Sequence, residues 1–177
     1  VILHRTNFHH TDLSGVDFTV TDVITDGLSF INSNLSNSNF EGVDLSPKKI
    51  FYNIFKNKAY LMHGITQSSE AQAMIHEDLF GEQLRIRIIS AEIRGNDLVV
   101  NYLFFVSFFG ANLENASFKN ADLKFTDFYL ANLANADLSG ADLRKAYLGK
   151  ADLSNANLEG ANLQGAILDN AILSNAN

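Results

Sequence analysis

Hydrophobic residues recur at every fifth position along the C-terminal part of the chain. From position 111 to 176 every fifth residue is Ala, except Thr126, and from 113 to 173 every fifth residue is Leu, except Phe118 and Phe128. Neither an α-helix, with about 3.6 residues per turn, nor a strand, with side chains that alternate, has this period. The pattern predicts a solenoid, in which short repeats stack and bury a shared core.

Each repeat has predicted inward and outward places. The small residue and the Leu or Phe two places later are predicted to point inward, while the residue between them and the last two face solvent or turn the chain. Ala suits the small place because a narrow interior has no room for a second large side chain. The stretch from Val1 to Leu45 follows the same rule with more substitutions, and its register slips by two near 25–29, where we expect a bulge or a loosened corner.

Blocks such as ANLEN, ADLSG and ANLEG resemble the pentapeptide-repeat family, whose motif is A-(D/N)-(L/F)-x-x. The resemblance is strong over Ala111–Asn177 and recognisable over Val1–Leu45. It implies an all-β solenoid, the right-handed quadrilateral β-helix of that family, in which four pentapeptides form the four sides of one coil. The five-residue period alone does not provide that geometry.

The period breaks in the middle of the chain. Pro47 interrupts it, and Ala91–Gly95 fits the motif again in the register of the C-terminal repeats. An alternative interpretation makes 84–106 a β-hairpin that turns at Gly95-Asn96, but we prefer a restart of the repeat near Ile86. The predicted parts are N-terminal repeats over 1–45, an inserted segment over 46–85, and C-terminal repeats over 86–177.

The inserted segment lacks the five-residue period and is predicted to be mainly helical. Between Lys48 and Asn57 the apolar residues fall on one helical face. A second helix is predicted to begin at Ser68 or Ser69 and to end at Gly81. Two short amphipathic helices need an apolar surface on which to pack.

Large apolar residues also occupy places in the C-terminal repeats that are predicted to face outward. Those one coil apart should lie above one another and form an outer apolar patch. Because such a patch is rarely left exposed to water, we predict that the helices of the insertion cover it, with a dimer or partner interface as the alternative. The patch residues are Val99, Val100, Phe104, Phe105, Phe109, Phe125, Tyr129 and Leu130.

Aspartate recurs at the second, outward place of the repeat. Some members of the pentapeptide-repeat family are acidic rods that resemble duplex DNA and bind type II topoisomerases such as gyrase, so the resemblance implies this function as an alternative. The repeats carry 16 acidic and 8 basic residues. That net charge is less than half of the roughly 20 phosphates on DNA of about the same length. The outward acidic positions are Asp122, Asp127, Asp137, Asp142 and Asp152.

The residue types favour neither catalysis nor metal binding. His4, His9 and His10 form the densest metal-like group, but His4 and His9 would lie on adjacent sides of a coil. The repeated aspartates share one environment, whereas a catalytic pair of carboxylates needs two different ones. The chain has no Cys and therefore no thiolate nucleophile or cysteine zinc site. We predict no enzymatic activity, no cofactor and no bound metal.

Composition and charge narrow the choice of partner. A net charge of −7 on 177 residues disfavours direct binding to nucleic acid, and an apolar content of 46% excludes a disordered acidic tail. The longest apolar run, Leu98–Phe109, is too short for a membrane-spanning helix. We predict a rigid protein-binding or scaffolding module with an unidentified protein partner. A homodimer or end-to-end stacking at the coil that ends at Asn177 is left open. The cytoplasm is favoured, with the periplasm or an organelle lumen as alternatives.

Overall fold

The chain forms two compact units in the computed structural model. One contains Val1–Lys48 and Phe105–Asn177, and the other contains Lys49–Phe104. The residues that the structure describes are 6–19, 28–47, 50–56, 86–94 and 97–177.

The first unit is a stack of coils joined by single parallel bridges at the second place of each repeat. Ser117 pairs with Asp137, and Asp137 pairs with Asn157. In the backbone, Phe118 N donates to Asp137 O at 2.7 Å, and Asp137 N donates to Ala116 O at 3.0 Å. Bridged residues of adjacent coils in the C-terminal part lie 20 positions apart. Four pentapeptides therefore complete one coil, and each coil satisfies the backbone groups of its neighbours.

Four columns of bridges define four sides of the coil, which we number in chain order. The numbering starts from the column that contains Asp127, and each side is named by the second-place residues that run along it. Side 1 carries Ser29, Ser107, Asp127, Tyr147 and Ile167; side 2 carries Asn34, Asn112, Asn132, Asp152 and Ile172; side 3 carries Asn39, Ser117, Asp137 and Asn157; side 4 carries Asp44, Asp122, Asp142 and Asn162.

The spacing of bridged residues changes at two points toward the N-terminus. Asp12 and Asn34 are bridged although they lie 22 positions apart. Two extra residues are therefore accommodated between Thr19 and Leu28, a stretch that lies mostly outside the described residues. Asn34 and Asn112 are bridged across 78 positions. The stack therefore continues in register from the second coil to the third although the second unit intervenes in the sequence.

Two columns of phenylalanine rings fill the interior of the first coils. On side 1, the ring centroids of Phe30, Phe108 and Phe128 are separated by 5.0 and 5.1 Å in turn. On side 3, Phe40 and Phe118 stack at 4.9 Å. Edge-to-face contacts link the columns, because Phe118 lies 5.7 Å from both Phe108 and Phe128. The aromatic columns therefore interlock across the core.

Leucine and alanine complete the core in the later coils. Leu143 and Leu148 are fully buried, and Ala141 and Ala146 at the small place are no more than 1% exposed. The predicted inward places are thereby confirmed for these repeats. The narrow interior accounts for the repeated alanine, because the facing large side chains already fill the space.

A tight turn at each corner explains the remaining places of the motif. Ala131 N donates to Phe128 O at 3.0 Å, and the fifth residue of that repeat, Leu130, has φ of 60°. A positive φ at this place is typical of a type II turn. The second place also contributes, since Asn132 Oδ1 accepts a hydrogen bond from Ala134 N at 3.1 Å. Asp and Asn recur there because a short side-chain oxygen can accept this bond.

The second unit contains a three-stranded antiparallel sheet. Its strands are β1 (Ile50–Lys56), β2 (Ile86–Arg94) and β3 (Asp97–Phe104), in the order β1-β3-β2. Ile54 pairs with Val99 between β1 and β3, and Ile93 pairs with Leu98 between β2 and β3.

The strand β1 shows that the prediction of a helix over Lys48–Asn57 was wrong. Ile50, Phe51, Tyr52, Ile54 and Phe55 are β-branched or aromatic residues, which are enriched in strands, and pairing with β3 decides between the two patterns. The second predicted helix, from Ser68 or Ser69 to Gly81, lies outside the described residues.

The structure also differs from the predicted restart of the repeat at Ile86. Strands β2 and β3 pair in antiparallel fashion and follow the hairpin alternative, although Gly95-Asn96 lies outside the described residues. In the repeat register, Asn96 and Asn101 would occupy the small inward place, where a polar amide would be buried without a partner. The bridges of the first unit resume at Ser107.

Candidate functional site

The fifth place of the described repeats has a left-handed backbone, with φ between 52° and 70°, at all of them except Pro47. Asn and Gly tolerate this conformation best, and they occupy most of these places. All five exceptions among the described repeats lie at two corners that border side 1, and four of them fall in the successive coils 106–125, 126–145 and 146–165. The exceptions are His10, Phe125, Leu130, Lys145 and Lys150.

Aromatic rings cover side 1 beside these corners. Tyr129 and Tyr147 stack with their centroids 5.4 Å apart and their planes 14° apart, and Phe109 lies 5.7 Å from Tyr129. Gly149 leaves room for this arrangement, because a Cβ there would lie 3.0 Å from Cδ2 of Tyr129. The φ of Gly149 is outside the left-handed region, so its backbone conformation does not require glycine. Glycine is required there because a larger residue would clash with Tyr129.

Two lysines lie over rings at the two ends of side 1. Lys145 Nζ is 5.4 Å from the centroid of Phe125, and Lys150 Nζ is 5.6 Å from that of Tyr129. A side-chain hydrogen bond to Tyr129 raises the pKa of Lys150. Leu130 is 48% exposed and Tyr147 is 40% exposed. We call this set the aromatic–lysine surface: Phe125, Tyr129, Leu130, Lys145, Tyr147 and Lys150.

Asp127 lies under this surface and differs from its predicted outward position. Only 5% of the residue is exposed. Its carboxylate accepts hydrogen bonds from Ser107 Oγ at 2.9 Å and from Tyr129 N at 3.0 Å. Tyr147 is its bridge partner in the next coil. On a side that carries such large rings, the carboxylate is enclosed and its hydrogen bonds serve the packing of the coil.

Asp122 and Asp142 lie on side 4, and basic residues neutralise them. Lys124 Nζ is 2.7 Å from Asp122, while Arg144 Nε and Nη2 contact the two oxygens of Asp142 at 2.8 and 2.6 Å. The hydrogen bond from Arg144 is the largest cause that lowers the pKa of Asp142. The side-chain hydrogen bond from Lys124 to Asp122 raises the pKa of Lys124.

Asp137 and Asp152 are half-buried and bonded to the turns that follow them. Hydrogen bonds from the side chain and backbone of Ser154 lower the pKa of Asp152. Burial raises the pKa of Asp137, but hydrogen bonds from Ser139 and Asn157 and the charge of Lys119 together outweigh this effect, and the net shift is downward. Part of the acidity at the second place is therefore explained by turn formation.

The predicted patch divides between the two units. The structure places Val99, Val100 and Phe104 in strand β3 rather than in outward places of a repeat coil. Phe105 and Phe109 belong to the first unit and are half-buried. Phe125, Tyr129 and Leu130 also belong to the first unit, and there they are accompanied by residues that the prediction omitted. The idea that the insertion covers the patch stays a prediction.

Lys145, Tyr147, Gly149 and Lys150 were missed, although the sequence contains a signal for them. Tyr147 replaces the usual Asp or Asn at the second place, and each lysine replaces the usual Asn or Gly at the fifth place. These departures from the repeat cluster between 145 and 150.

The described residues add little to the metal and membrane questions. They include no group of three or more His, Asp or Glu side chains arranged to hold a metal ion. His9 Nε2 lies 2.7 Å from Ser29 Oγ, and His4 is outside the described part. Across the described ranges, no helix is long and apolar enough to cross a membrane.

Comparisons with known proteins give one family and several structures of the same type. The sequence profile of the family described as pentapeptide repeats matches in 8 copies, over residues 1–22, 107–144 and 136–175. Comparison with curated protein sequences gives no match.

Among solved structures, the chain is similar to HetL, a pentapeptide repeat protein involved in heterocyst differentiation regulation from the cyanobacterium Nostoc sp. Strain PCC 7120. The identity is 21% and the TM-score 0.41, with 99% of this chain and 65% of HetL covered. For Rfr23, a pentapeptide repeat protein from the cyanobacterium Cyanothece 51142, the identity is 20% and the TM-score 0.48, with 97% of this chain and 90% of Rfr23 covered. For QnrB1, a plasmid-mediated fluoroquinolone resistance protein, the identity is 16% and the TM-score 0.29, with 99% of this chain and 63% of QnrB1 covered. The chain thus spans less than two thirds of HetL and of QnrB1.

The family match and the geometry of the first unit agree. Parallel bridges at a spacing of four pentapeptides form the coils of a right-handed β-helix solenoid, the fold of this family. The sequence profile matches just over half of the chain, and the matched residues contain the repeats whose Ala and Leu side chains form the core. The chain belongs to the pentapeptide-repeat family.

Proposed function

We propose that the protein is a non-enzymatic protein-binding module and that it binds its partner through the aromatic–lysine surface on side 1. Pentapeptide-repeat proteins are generally structural or binding modules. The observation that carries the proposal is the choice of residues at the left-handed corners. Phe125, Leu130, Lys145 and Lys150 occupy a conformation that Asn or Gly occupies at most other described corners.

The energetic argument starts from backbone strain. A left-handed conformation costs an ordinary L-residue roughly 1–2 kcal/mol, whereas Gly avoids this cost and Asn tolerates it better. Such departures concentrate at functional sites, where the side chain is needed for something other than stability. Four of them border the same side of the solenoid. Selection for the side chains at these corners therefore explains the pattern better than selection for folding.

The surface has the properties of a preorganised binding site. Tyr129 and Tyr147 are already stacked, and Gly149 provides the space in which Tyr129 lies. Rings held in this way lose little conformational freedom on binding, which lowers the entropic cost of association. Exposed Tyr and Leu side chains also supply the apolar contact area typical of interface centres.

The DNA-mimic function remains the alternative, and the charges of the described residues favour it less. Asp122 and Asp142 are paired with Lys124 and Arg144, and Asp127 is buried. These three aspartates therefore present little uncompensated negative charge. A gyrase supercoiling assay tests this alternative, and inhibition at micromolar protein concentration would favour it over the proposal.

Differential retention of proteins from an extract of the source cells tests the proposal. The variant combines Tyr147→Asn, Leu130→Asn and Lys150→Asn, which restores the residues usual at those places and should preserve the coil. The control carries Lys119→Gln on side 3. We expect proteins that wild type and control both retain to be lost with the triple variant. Equal retention by all three, with equal melting temperatures, would contradict a binding role for side 1.

A further inference from the structure

We infer that the chain pairs with a second copy of itself through strand β1, with the two β1 strands antiparallel and Asn53 on the two-fold axis. This pairing involves the second unit and is independent of the proposed function of side 1. Three observations lead to it: the strand order, the residues of β1, and the register in which two copies of this strand complement each other.

The strand order makes β1 an outer strand of the described sheet. β3 lies in the centre and pairs with β1 on one side and with β2 on the other. Among the described strands, β1 therefore has a partner along one edge. Its other edge carries backbone N–H and C=O groups that point away from β3, and such an edge is a template for pairing with another chain.

The two outer strands differ in the devices that usually prevent pairing of this kind. β2 has an irregular register between Ile88 and Ser90, and its sequence IRIISAEIR contains three charged residues. β1, with the sequence IFYNIFK, keeps an unbroken register with β3, contains no Pro, and has its one charged residue at the last position. A regular apolar strand without a bulge or an internal charge is suited to edge-to-edge pairing.

The residues of β1 complement themselves in the antiparallel direction. With the axis at Asn53, Phe51 of one copy lies opposite Phe55 of the other, and Tyr52 lies opposite Ile54. Aromatic–aromatic and aromatic–β-branched pairs are among the favourable cross-strand pairs, and the two-fold axis makes each of them occur twice. A shift of two residues in either direction would place Asn53 opposite Phe51 or Phe55 instead. The pattern therefore favours one register.

Lysines near both ends of β1 oppose this pairing. In the sequence, Lys48 and Lys49 precede the strand, Lys56 is its last residue, and Lys58 follows closely. In the antiparallel arrangement the lysines before one strand approach those at the end of the other, and this repulsion is screened by salt. We therefore expect the dimer to tighten as salt rises. An acidic strand of another protein would instead bind more weakly, which separates the two occupants.

Crosslinking through a single Cys tests the register, because the chain has no Cys of its own. In Asn53→Cys the two introduced residues face each other across the axis with Cβ atoms about 4.5–5.5 Å apart, within reach of a short bismaleimide. Lys56→Cys is the matched control on the same strand, where the two residues would be about 20 Å apart. We expect a covalent dimer of the full chain with Asn53→Cys and at least about fivefold less with Lys56→Cys.

Sedimentation of the full chain measures the association itself. We expect a concentration-dependent dimer between about 1 and about 100 μM that tightens several-fold between about 50 and about 300 mM salt. Two double variants, Tyr52→Lys with Ile54→Lys and Tyr52→Glu with Ile54→Glu, should each dimerise at least about tenfold more weakly, because like charges then lie opposite each other. An equal mixture of the two should restore the dimer, which a merely unfolded strand would not do.

Several results would overturn the inference. They are a wild-type chain that stays monomeric at about 100 μM in both salts, equal crosslinking of Asn53→Cys and Lys56→Cys, and a dimer that both double variants leave unchanged. A monomeric wild type that retains an extract protein more weakly as salt rises, and loses it with the Lys double variant, would assign the edge to an acidic strand of another protein. None of these results bears on side 1, since the triple side 1 variant tests that surface separately.

Discussion

Truncation of Phe118 tests whether the interlocked rings carry the stability of the N-terminal half of the solenoid. The Phe118 side chain is fully buried, stacks on Phe40 at 4.9 Å, and meets Phe108 and Phe128 edge to face at 5.7 Å. Phe→Ala in a core costs about 3–5 kcal/mol. We expect the upper half of that range, because the coils above and below are joined to this one by backbone hydrogen bonds and cannot collapse into the cavity.

Phe118→Leu provides the matched comparison. Leu138 occupies the same place on side 3 in the next coil and is fully buried, so the backbone accepts Leu there. The cost should fall to about 1–2 kcal/mol, because Leu leaves a smaller cavity than Ala and keeps part of the packing against the neighbouring rings.

The assay is equilibrium unfolding in urea, followed by circular dichroism and by tyrosine fluorescence, with the melting temperature measured in parallel. A loss of 4 kcal/mol corresponds to a decrease of about 8–16 °C for a chain of this size. A cost below 1 kcal/mol for Phe118→Ala would refute the interlocked core. Equal costs for Ala and Leu would show that ring contacts, and not volume, determine stability at this place.

Three further predictions address the corners, the acidic positions and the ring pair. Asn135→Leu places a bulky residue at a corner with φ of 59° and should cost about 1 kcal/mol in urea unfolding; no loss would remove the strain argument for side 1. The lowered pKa of Asp142 contributes stability above about pH 4 that is lost as the pH falls through the folded-state value. The melting temperature of Asp142→Asn should therefore fall less between pH 5 and pH 2.5 than that of the wild type, and an equal fall in both proteins would contradict this. Gly149→Ala brings a Cβ to 3.0 Å from the Tyr129 ring and should destabilise by about 0.5–1.5 kcal/mol, an effect that should vanish in a Tyr129→Ala background.

The sequence was most informative where one physical constraint acts on every repeat. The narrow core imposes Ala and Leu at fixed places, so burial of residues such as Ala141 and Leu143 could be predicted from the period alone. The coil of four pentapeptides required the family resemblance, because a period of five does not determine how many repeats close a coil.

Prediction failed where pairing over a distance decides between local patterns. The stretch Ile50–Lys56 has apolar residues at helical spacing, but β3 offers it a strand partner that only the folded chain brings close. Likewise Ala91–Gly95 matches the motif by itself, whereas the next two repeats would have had to bury Asn96 and Asn101. A single match to a short motif is therefore weaker evidence for a coil than the polar residues that follow it are against one.

Large apolar side chains at outward places of the repeat predict only part of the candidate site. Tyr129 and Leu130 were found in this way, but the patch also took in residues of β3. Lys145 and Lys150 were missed because a surface lysine is unusual only where the backbone is left-handed, and that conformation is known only from the structure.

The register of the bridges has a consequence for the order in which the solenoid assembles. Bridged residues of the C-terminal coils lie 20 positions apart, whereas Asn34 pairs with Asn112 across 78 positions. By loop-closure entropy the longer connection costs about 1.2 kcal/mol more before any contact forms. We therefore expect the uninterrupted repeats from Val106 onward to nucleate folding. They would then act as a template onto which the N-terminal coils add, so that a chain still emerging from the ribosome would leave its second coil without its partner in the third coil until the repeats after Val106 are synthesised.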